Sequence, residues 1–416
     1  MRHTTLLLGQ YTLSVLSCRL RWAFIIFLLP SPTTEKLPMM DKKHAFIVGA
    51  GFSNHAGLPL ASQFTKNLLN IEGLKLDGPS ALQVEFIKKF VSDIYGHDLD
   101  SNGDSWPELE DIFTAVDLAA NTGHHLGRSY APSDLRTVRR TLITRIIRML
   151  QQNYNNNKKI KNKYFDLFFK SIDIDSCSFI SMNWDTVIER RIKKAQGIDS
   201  FDYGIDIIKS TLRDTENKKP KKLKNSSNKT IQIIKSHGSI NWLYCDCCRD
   251  LFWFPPEQCF QIAAQIFSSK DWDIVNKYTN KDYKYKTEQK YCPSCQSNSL
   301  GNRLATFSYR KALDFPAHLN SWKTAEYVLK KTDTWTFIGY SMPGADYEFK
   351  TLLKRAELAR ISPPKIFLVT GGSSQATSQT ISNYKKFFGR NIDLISDQGL
   401  SYDAIKSLRS HNILNI

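Results

Sequence analysis

Six short apolar runs, most of them closed by Gly, Ser or Asn and separated by stretches of helical spacing, confine this chain to an α/β fold. They lie at 44–48, 178–182, 232–235, 335–338, 366–369 and 392–395. Runs of that length read as parallel strands buried on both faces, and the helical intervals between them supply the crossovers. The expectation is a Rossmann-like parallel sheet. In such sheets a ligand sits in the crevice at the carboxyl ends of the strands. Four strand ends carry residues suited to chemistry: Gly49-Ala50-Gly51-Phe52-Ser53 after the first, Asn183 after the second, His237 after the third and Ser341 after the fourth.

A second feature is equally specific. Cys245 and Cys248, and further on Cys292 and Cys295, form two pairs, each with two residues between its members. Thiolates so spaced suit one tetrahedral zinc, and with sulfur at all four positions the site is structural and closed to water. Cys247 is an alternative ligand to Cys248. A four-cysteine zinc-ribbon-type module is therefore expected over 242–300, with the aromatic-rich segment 249–291 forming a small core of its own. Cys18, Cys177, Cys247 and Cys259 are left over, and the uneven spacings favour a metal site in a reducing, cytoplasmic setting over a disulfide framework.

A length of 416 residues has room for one large domain with insertions or for two domains. Hydrophobic residues at 41% and aromatics at 12% are ample for a core, and 23% charged residues speak against disorder. A net charge of +17 favours polyanionic partners, and an anionic dinucleotide qualifies as readily as nucleic acid. The basic runs 158–161 and 218–224 lack the interleaved aromatics of single-strand binders, so they read as solvated loops and nucleic-acid binding is not favoured. The first 38 residues are partly apolar, but Arg19 and Arg21 interrupt them, and the uncharged run 22–30 is far short of the ~20 residues of a membrane span. Met39-Met40-Asp41 directly precedes the first strand, so 1–38 reads as a gene-model extension or disordered leader, 39–416 as the domain, and no membrane association is expected. Over 65–170 the pattern is mainly helical, with Leu68, Leu69, Phe86, Phe90, Val91, Ile112, Phe113, Val116 and Leu118 as its apolar positions. This reads as an insertion covering one side of the crevice, while 153–157 and 215–229 read as surface loops.

Glycines in the Gly49-Ala50-Gly51 turn, which leads through Gly57-Leu58-Pro59 towards a helix, let the backbone approach a pyrophosphate. No acidic residue ends the second strand of a βαβ unit, which disfavours an ordinary dehydrogenase. His237 ends a strand, precedes Gly238 and stands beside the metal module, as a catalytic imidazole would. Asn183 either caps the helix that begins near Asp185 or, if Asp185 takes that place, faces the crevice.

Together these blocks resemble the sirtuins. Gly49-Ala50-Gly51 with Ser53, Gly57 and Pro59 is similar to the sirtuin nucleotide loop, and Ser181-Met182-Asn183-Trp184-Asp185 to the Thr-Gln-Asn-Ile-Asp block. His237-Gly238-Ser239 with Cys245 eight residues on has the sirtuin spacing, and Gly339-Tyr340-Ser341 looks like the Gly-Thr-Ser block that touches the cofactor. The resemblance implies an NAD-binding domain in which Asn183 and His237 are catalytic. Gly49, Ala50, Gly51, Ser53, Asp185, Gly339 and Ser341 then contact NAD+, and Cys245, Cys248, Cys292 and Cys295 hold structural Zn2+. The departures matter as much. Leu60-Ala61-Ser62 stands where deacetylases carry Asp-Phe-Arg, Met182 replaces Gln, and the helical insertion is larger. These look more like the sirtuin-like proteins of bacterial antiphage defence, which hydrolyse NAD+ with an Asn and a His. What the resemblance implies is therefore an NAD+ glycohydrolase, with a protein-lysine deacylase and a catalytically inert nucleic-acid-binding module as alternatives. The chain stops soon after the last strand, so control is expected from an activating partner protein or a homo-oligomer.

Overall fold

Ala45, Phe46, Ile47 and Val48 are all without solvent exposure, as a strand covered on both faces requires. They belong to β1 (His44–Val48), the first of eleven strands among the described residues of the computed structural model. That structure describes residues 42–69, 76–96, 106–157, 162–216, 229–284, 290–302, 304, 316–344, 346–389 and 392–415. The leader 1–38, both basic runs and most of the expected loop 215–229 lie outside the described residues. The other strands are β2 (Cys177–Ser181), β3 (Ser200–Asp202), β4 (Ile208–Lys209), β5 (Thr230–Lys235), β6 (Trp242–Cys245), β7 (Leu251–Trp253), β8 (Leu300–Gly301), β9 (Thr334–Ile338), β10 (Lys365–Val369) and β11 (Asp393–Ser396).

Seven of them form one sheet in the order β11-β10-β9-β1-β2-β5-β3, with every described pairing parallel. All six expected strands are in it. The seventh, β3, is three residues long, too short to stand out as an apolar run. The strand order reverses direction at β1: the chain adds β2, β5 and β3 on one side, then β9, β10 and β11 on the other. A reversal of this kind sets the crevice at the carboxyl edge of the sheet, beside β1 and β9. Alternation along β1 divides the core, with Phe46 and Val48 in one apolar cluster and Ala45 and Ile47 in another.

Between β1 and β2 run helices Phe64–Leu69, Gly78–Tyr95, Leu109–Thr122, Pro132–Asn156 and Lys163–Ser171. Asp77 caps the second of these by accepting from the Ser80 amide at 2.9 Å, and Gly96 ends it in the left-handed conformation. In Leu109–Thr122 the buried stripe is Leu109, Ile112, Phe113 and Val116, and Leu118 falls off it, 39% exposed. The expectation of a loop over 153–157 is corrected: the helix Pro132–Asn156 runs on through Asn156. Asn157 then donates its side-chain amide to the Gly57 carbonyl at 2.9 Å, tying that helix end to the segment beyond the glycine turn.

β4, β7, β6 and β8 form a second sheet, in that order. Its aromatic neighbours do not make a separate core. Phe252, Trp253, Phe254, Phe267 and Trp272 belong to the same apolar cluster as Phe46, Phe52 and the helices of 64–171. Helix Ser269–Thr279 packs on Gly78–Tyr95 and Pro132–Asn156, with Tyr278 stacked on Tyr130 at 4.6 Å. Among the described residues no helix is long and apolar enough to cross a membrane.

Candidate active site and metal centre

A cleft of about 380 Å³ opens at the carboxyl ends of β1, β2, β5, β9 and β10. Its lining includes every predicted catalytic and cofactor-binding residue: Gly49, Ala50, Gly51, Ser53, Asn183, Asp185, His237, Gly339 and Ser341. Leu60, Ala61 and Ser62 also line it, as do Glu108 and Glu110 from the helical segment. Among the described lining residues there is no lysine or arginine, although the chain is strongly basic.

Three glycines make the floor by backbone contact. A Cβ on Gly49 would lie 2.7 Å from the Gly339 carbonyl oxygen, and one on Gly339 (φ +60°) only 2.2 Å from the Phe52 nitrogen. The Gly49 and Gly51 amides donate inward, to Ile338 at 3.2 Å and Gly339 at 2.9 Å. These glycines therefore bring the β1 and β9 loops together, rather than aiming both their N–H groups at a ligand.

Above the floor runs a continuous polar chain. Asn183 Nδ2 donates to the Gly49 carbonyl at 2.8 Å and to Ser53 Oγ at 2.9 Å. Ser53 donates to Asp185 Oδ2 at 2.7 Å, and Asp185 Oδ1 accepts from the Val187 amide at 2.9 Å at the start of helix Val187–Gln196. Asp185 thus takes the helix-start role that Asn183 was weighed for. A carbonyl can only accept, so the Asn183 amino group faces Gly49 and its oxygen is the atom it offers to the cleft. Asp185 has both oxygens engaged within the protein, which makes it a support for Ser53 and Asn183.

His237 follows β5 and is buried to within 4%. Its Nδ1 lies 3.1 Å from the Met182 carbonyl, so Nδ1 carries the hydrogen and Nε2 is the basic nitrogen of the neutral ring. The turn is held from beneath. Lys235 forms a buried ion pair with Glu189 at 3.3 Å and also reaches the Asp185 carbonyl. The Ile240 amide donates to Trp184 at 2.9 Å, and Asn241 donates to Phe254, which ties the His237 segment to the metal module.

Three carboxylates in the cleft were not predicted: Asp346, Glu110 and Glu108. Asp346 Oδ1 is 4.0 Å from His237 Nε2, and its Oδ2 accepts from the Tyr340 hydroxyl at 2.9 Å. An acidic residue just past the Gly-Tyr-Ser strand end was its only signal. Glu110 arrives on helix Leu109–Thr122, and burial, with Glu108, Asp111 and Asp346 adding their charges, pushes its carboxyl up to about 7. Nothing local in the sequence says that this helix docks over the cleft.

The four predicted metal ligands meet. The sulfur atoms of Cys245, Cys248, Cys292 and Cys295 lie within 4.8 Å of one another, with Cys245–Cys295 and Cys248–Cys292 both at 3.6 Å. Tetrahedral zinc with Zn–S bonds of about 2.3 Å needs S···S separations of about 3.8 Å, so the donor set fits one ion. Cys247 is exposed and outside the cluster. With four sulfur donors among the described residues, these cysteines would hold zinc as a structural clamp beside β6 and β8. All seven described cysteines are free of disulfides.

No family model and no curated protein matches the chain. Among solved structures it is similar to a sirtuin structure concerned with substrate affinity, at 12% identity over 89% of this chain and 94% of that one, with a TM-score of 0.32. It is similar also to Sir2 with a p53 peptide and NAD+, at 12% identity over the same shares and a TM-score of 0.31. At such identity and overlap, the chemistry of the cleft rests on this chain's own residues.

Proposed function

We propose that the chain is a sirtuin-like NAD+ hydrolase that cleaves the nicotinamide–ribose bond to give nicotinamide and ADP-ribose. The observation that carries the reading is the meeting, over one glycine floor, of an amide oxygen (Asn183) and an imidazole with its basic nitrogen set by a backbone carbonyl (His237). The nicotinamide of NAD+ is cationic when bound and departs neutral, so cleavage needs no general acid. It needs a stabilised, electron-poor ribose and a water with somewhere to send its proton. The Asn183 oxygen would accept from that water or from a ribose hydroxyl. The water oxygen bonds to the anomeric carbon as the glycosidic C–N bond breaks with its electron pair going to nicotinamide, and His237 Nε2 takes the proton. The glycine floor leaves room for the pyrophosphate to lie against backbone, and Ser341 stands at the mouth beyond it. With carboxylates and no lysine or arginine among its described lining residues, the cleft would favour the cationic ring and the oxocarbenium-like state that follows it.

Leu60-Ala61-Ser62 at the cleft wall supports hydrolysis over deacylation, because the resemblance assigns the arginine missing there to acetyl-lysine chemistry. The same resemblance carries the role in antiphage defence. The test is NAD+ consumption by the purified protein with and without an acetylated peptide, beside His237→Ala and Asn183→Ala. Release of nicotinamide and ADP-ribose without peptide, reduced at least about a hundredfold in both variants, is expected. Turnover that requires peptide and yields acetyl-ADP-ribose would make the protein a deacylase instead.

A further inference from the structure

We propose that Asp346 is the positioning carboxylate of His237, held for that task by Tyr340. Its two oxygens are divided between two jobs. Oδ2 accepts from the Tyr340 hydroxyl at 2.9 Å, and Oδ1 faces His237 Nε2 at 4.0 Å. Tyr340 is fixed in turn, because the Tyr384 hydroxyl donates to its carbonyl at 2.8 Å. Both tyrosine hydroxyls are kept protonated by burial, so Tyr340 remains a donor to the carboxylate. His237 is pinned from its other nitrogen by Met182, so the ring has one edge on a carbonyl and the other towards a carboxylate.

While the imidazole is neutral, 4.0 Å is too long for a hydrogen bond between Nε2 and Asp346. Once Nε2 has taken a proton, the imidazolium faces a carboxylate inside a largely buried wall, where such a pair is worth more than at a surface. Asp346 therefore stabilises the protonated base that the reaction produces, and it acts through His237 without touching the reacting atoms. Other charged groups bear on the pair. Glu110 enters from helix Leu109–Thr122, with Glu108 just ahead of that helix and Asp111 in its first turn, and Lys350 enters from helix Tyr347–Leu358. The glutamates add to the negative field of Asp346, and Lys350 offsets part of it.

The inference rests on the hydrolase reading only for the source of the proton; the pairing itself is testable without turnover. The imidazole of His237 in the 15N-histidine-labelled full chain, assigned by its loss in H237Q, is titrated by NMR in wild type, D346N, D346E, Y340F and E110Q. D346N is expected to move the midpoint about one unit to lower pH, Y340F and E110Q less, and D346E to restore part of the shift. The acid limb of kcat/KM for NAD+ cleavage then moves to lower pH in D346N, and kcat falls more than KM changes. An unchanged midpoint in D346N that melts like wild type overturns the pairing, whether or not NAD+ is cleaved. A shifted midpoint in a protein that consumes no NAD+ supports the pairing and removes the hydrolase reading. If D346N does not fold, a Y340F midpoint equal to that of wild type overturns the pairing.

Discussion

Asn183 uses both hydrogens of its amide inside the protein, on Gly49 and on Ser53, and that small fact sets what it can do for a ligand. Ser53→Ala would leave one of those hydrogens and one oxygen of Asp185 without a partner in a buried network. The expected loss is about 1–3 kcal/mol in a denaturant melt, together with a fall in NAD+ cleavage as the Asn183 oxygen loses its aim. Glu110 gives a second prediction, with the sign worked out. Its carboxyl is raised from 4.5 in the unfolded chain to about 7 in the fold. Between those values the folded state holds a proton that the unfolded state has lost. The contribution of Glu110 to stability is therefore full below about 4.5, and it falls as pH rises through about 7. Glu110→Gln should melt above wild type at pH 8, by roughly 1–3 kcal/mol, and lose that advantage towards pH 5. A gap independent of pH would sink the assignment. At this scale the sequence was legible wherever a residue sits at a strand end: Asn183, His237 and the glycines are where the apolar runs stop. Asp346 and Glu110 were not legible, because their meaning comes from which loop and which helix lie across from His237.

Among the elements, the turn after β5 depends on a buried pair more than on its own backbone. Lys235 and Glu189 are each 1% exposed, and Tyr203 also reaches Glu189 at 3.3 Å. Lys235→Met removes one partner and strands a buried charge, which should cost about 3–5 kcal/mol by equilibrium unfolding. The double change with Glu189→Leu should recover much of that loss. For the metal module, Cys245→Ser is expected to abolish zinc binding, measured as bound metal per chain, whereas Cys247→Ser leaves it intact. The cysteine spacing was readable because ligand geometry is a local constraint. The end of helix Pro132–Asn156 was misread for the opposite reason: a run of asparagines is a loop by composition, but here the Arg190 guanidinium over the Tyr154 ring and the Asn157–Gly57 bond hold it.

Over the whole molecule, one apolar cluster joins a face of the large sheet, the helices of 64–171 and the aromatic residues between the cysteine pairs. Removing zinc with a chelator should therefore lower a single melting transition, and no separate early transition of the module should be seen by calorimetry. The parallel class of the sheet was legible because strands buried on both faces are continuously apolar. The strand order was not, because parallel neighbours are chosen by pairings distant in sequence, as β1 is chosen by both β2 and β9. The cleft inherits that distance. Its walls come from the β1 loop, the helical segment, the β2 and β5 ends, the Gly339 turn and, last, Thr370 to Thr380. Asn183 and His237 lie in the first two-thirds of the chain, but the wall facing them comes from the Gly339 turn and from Thr370 to Thr380. The cleft is thus complete only where β9 and β10 stand beside β1.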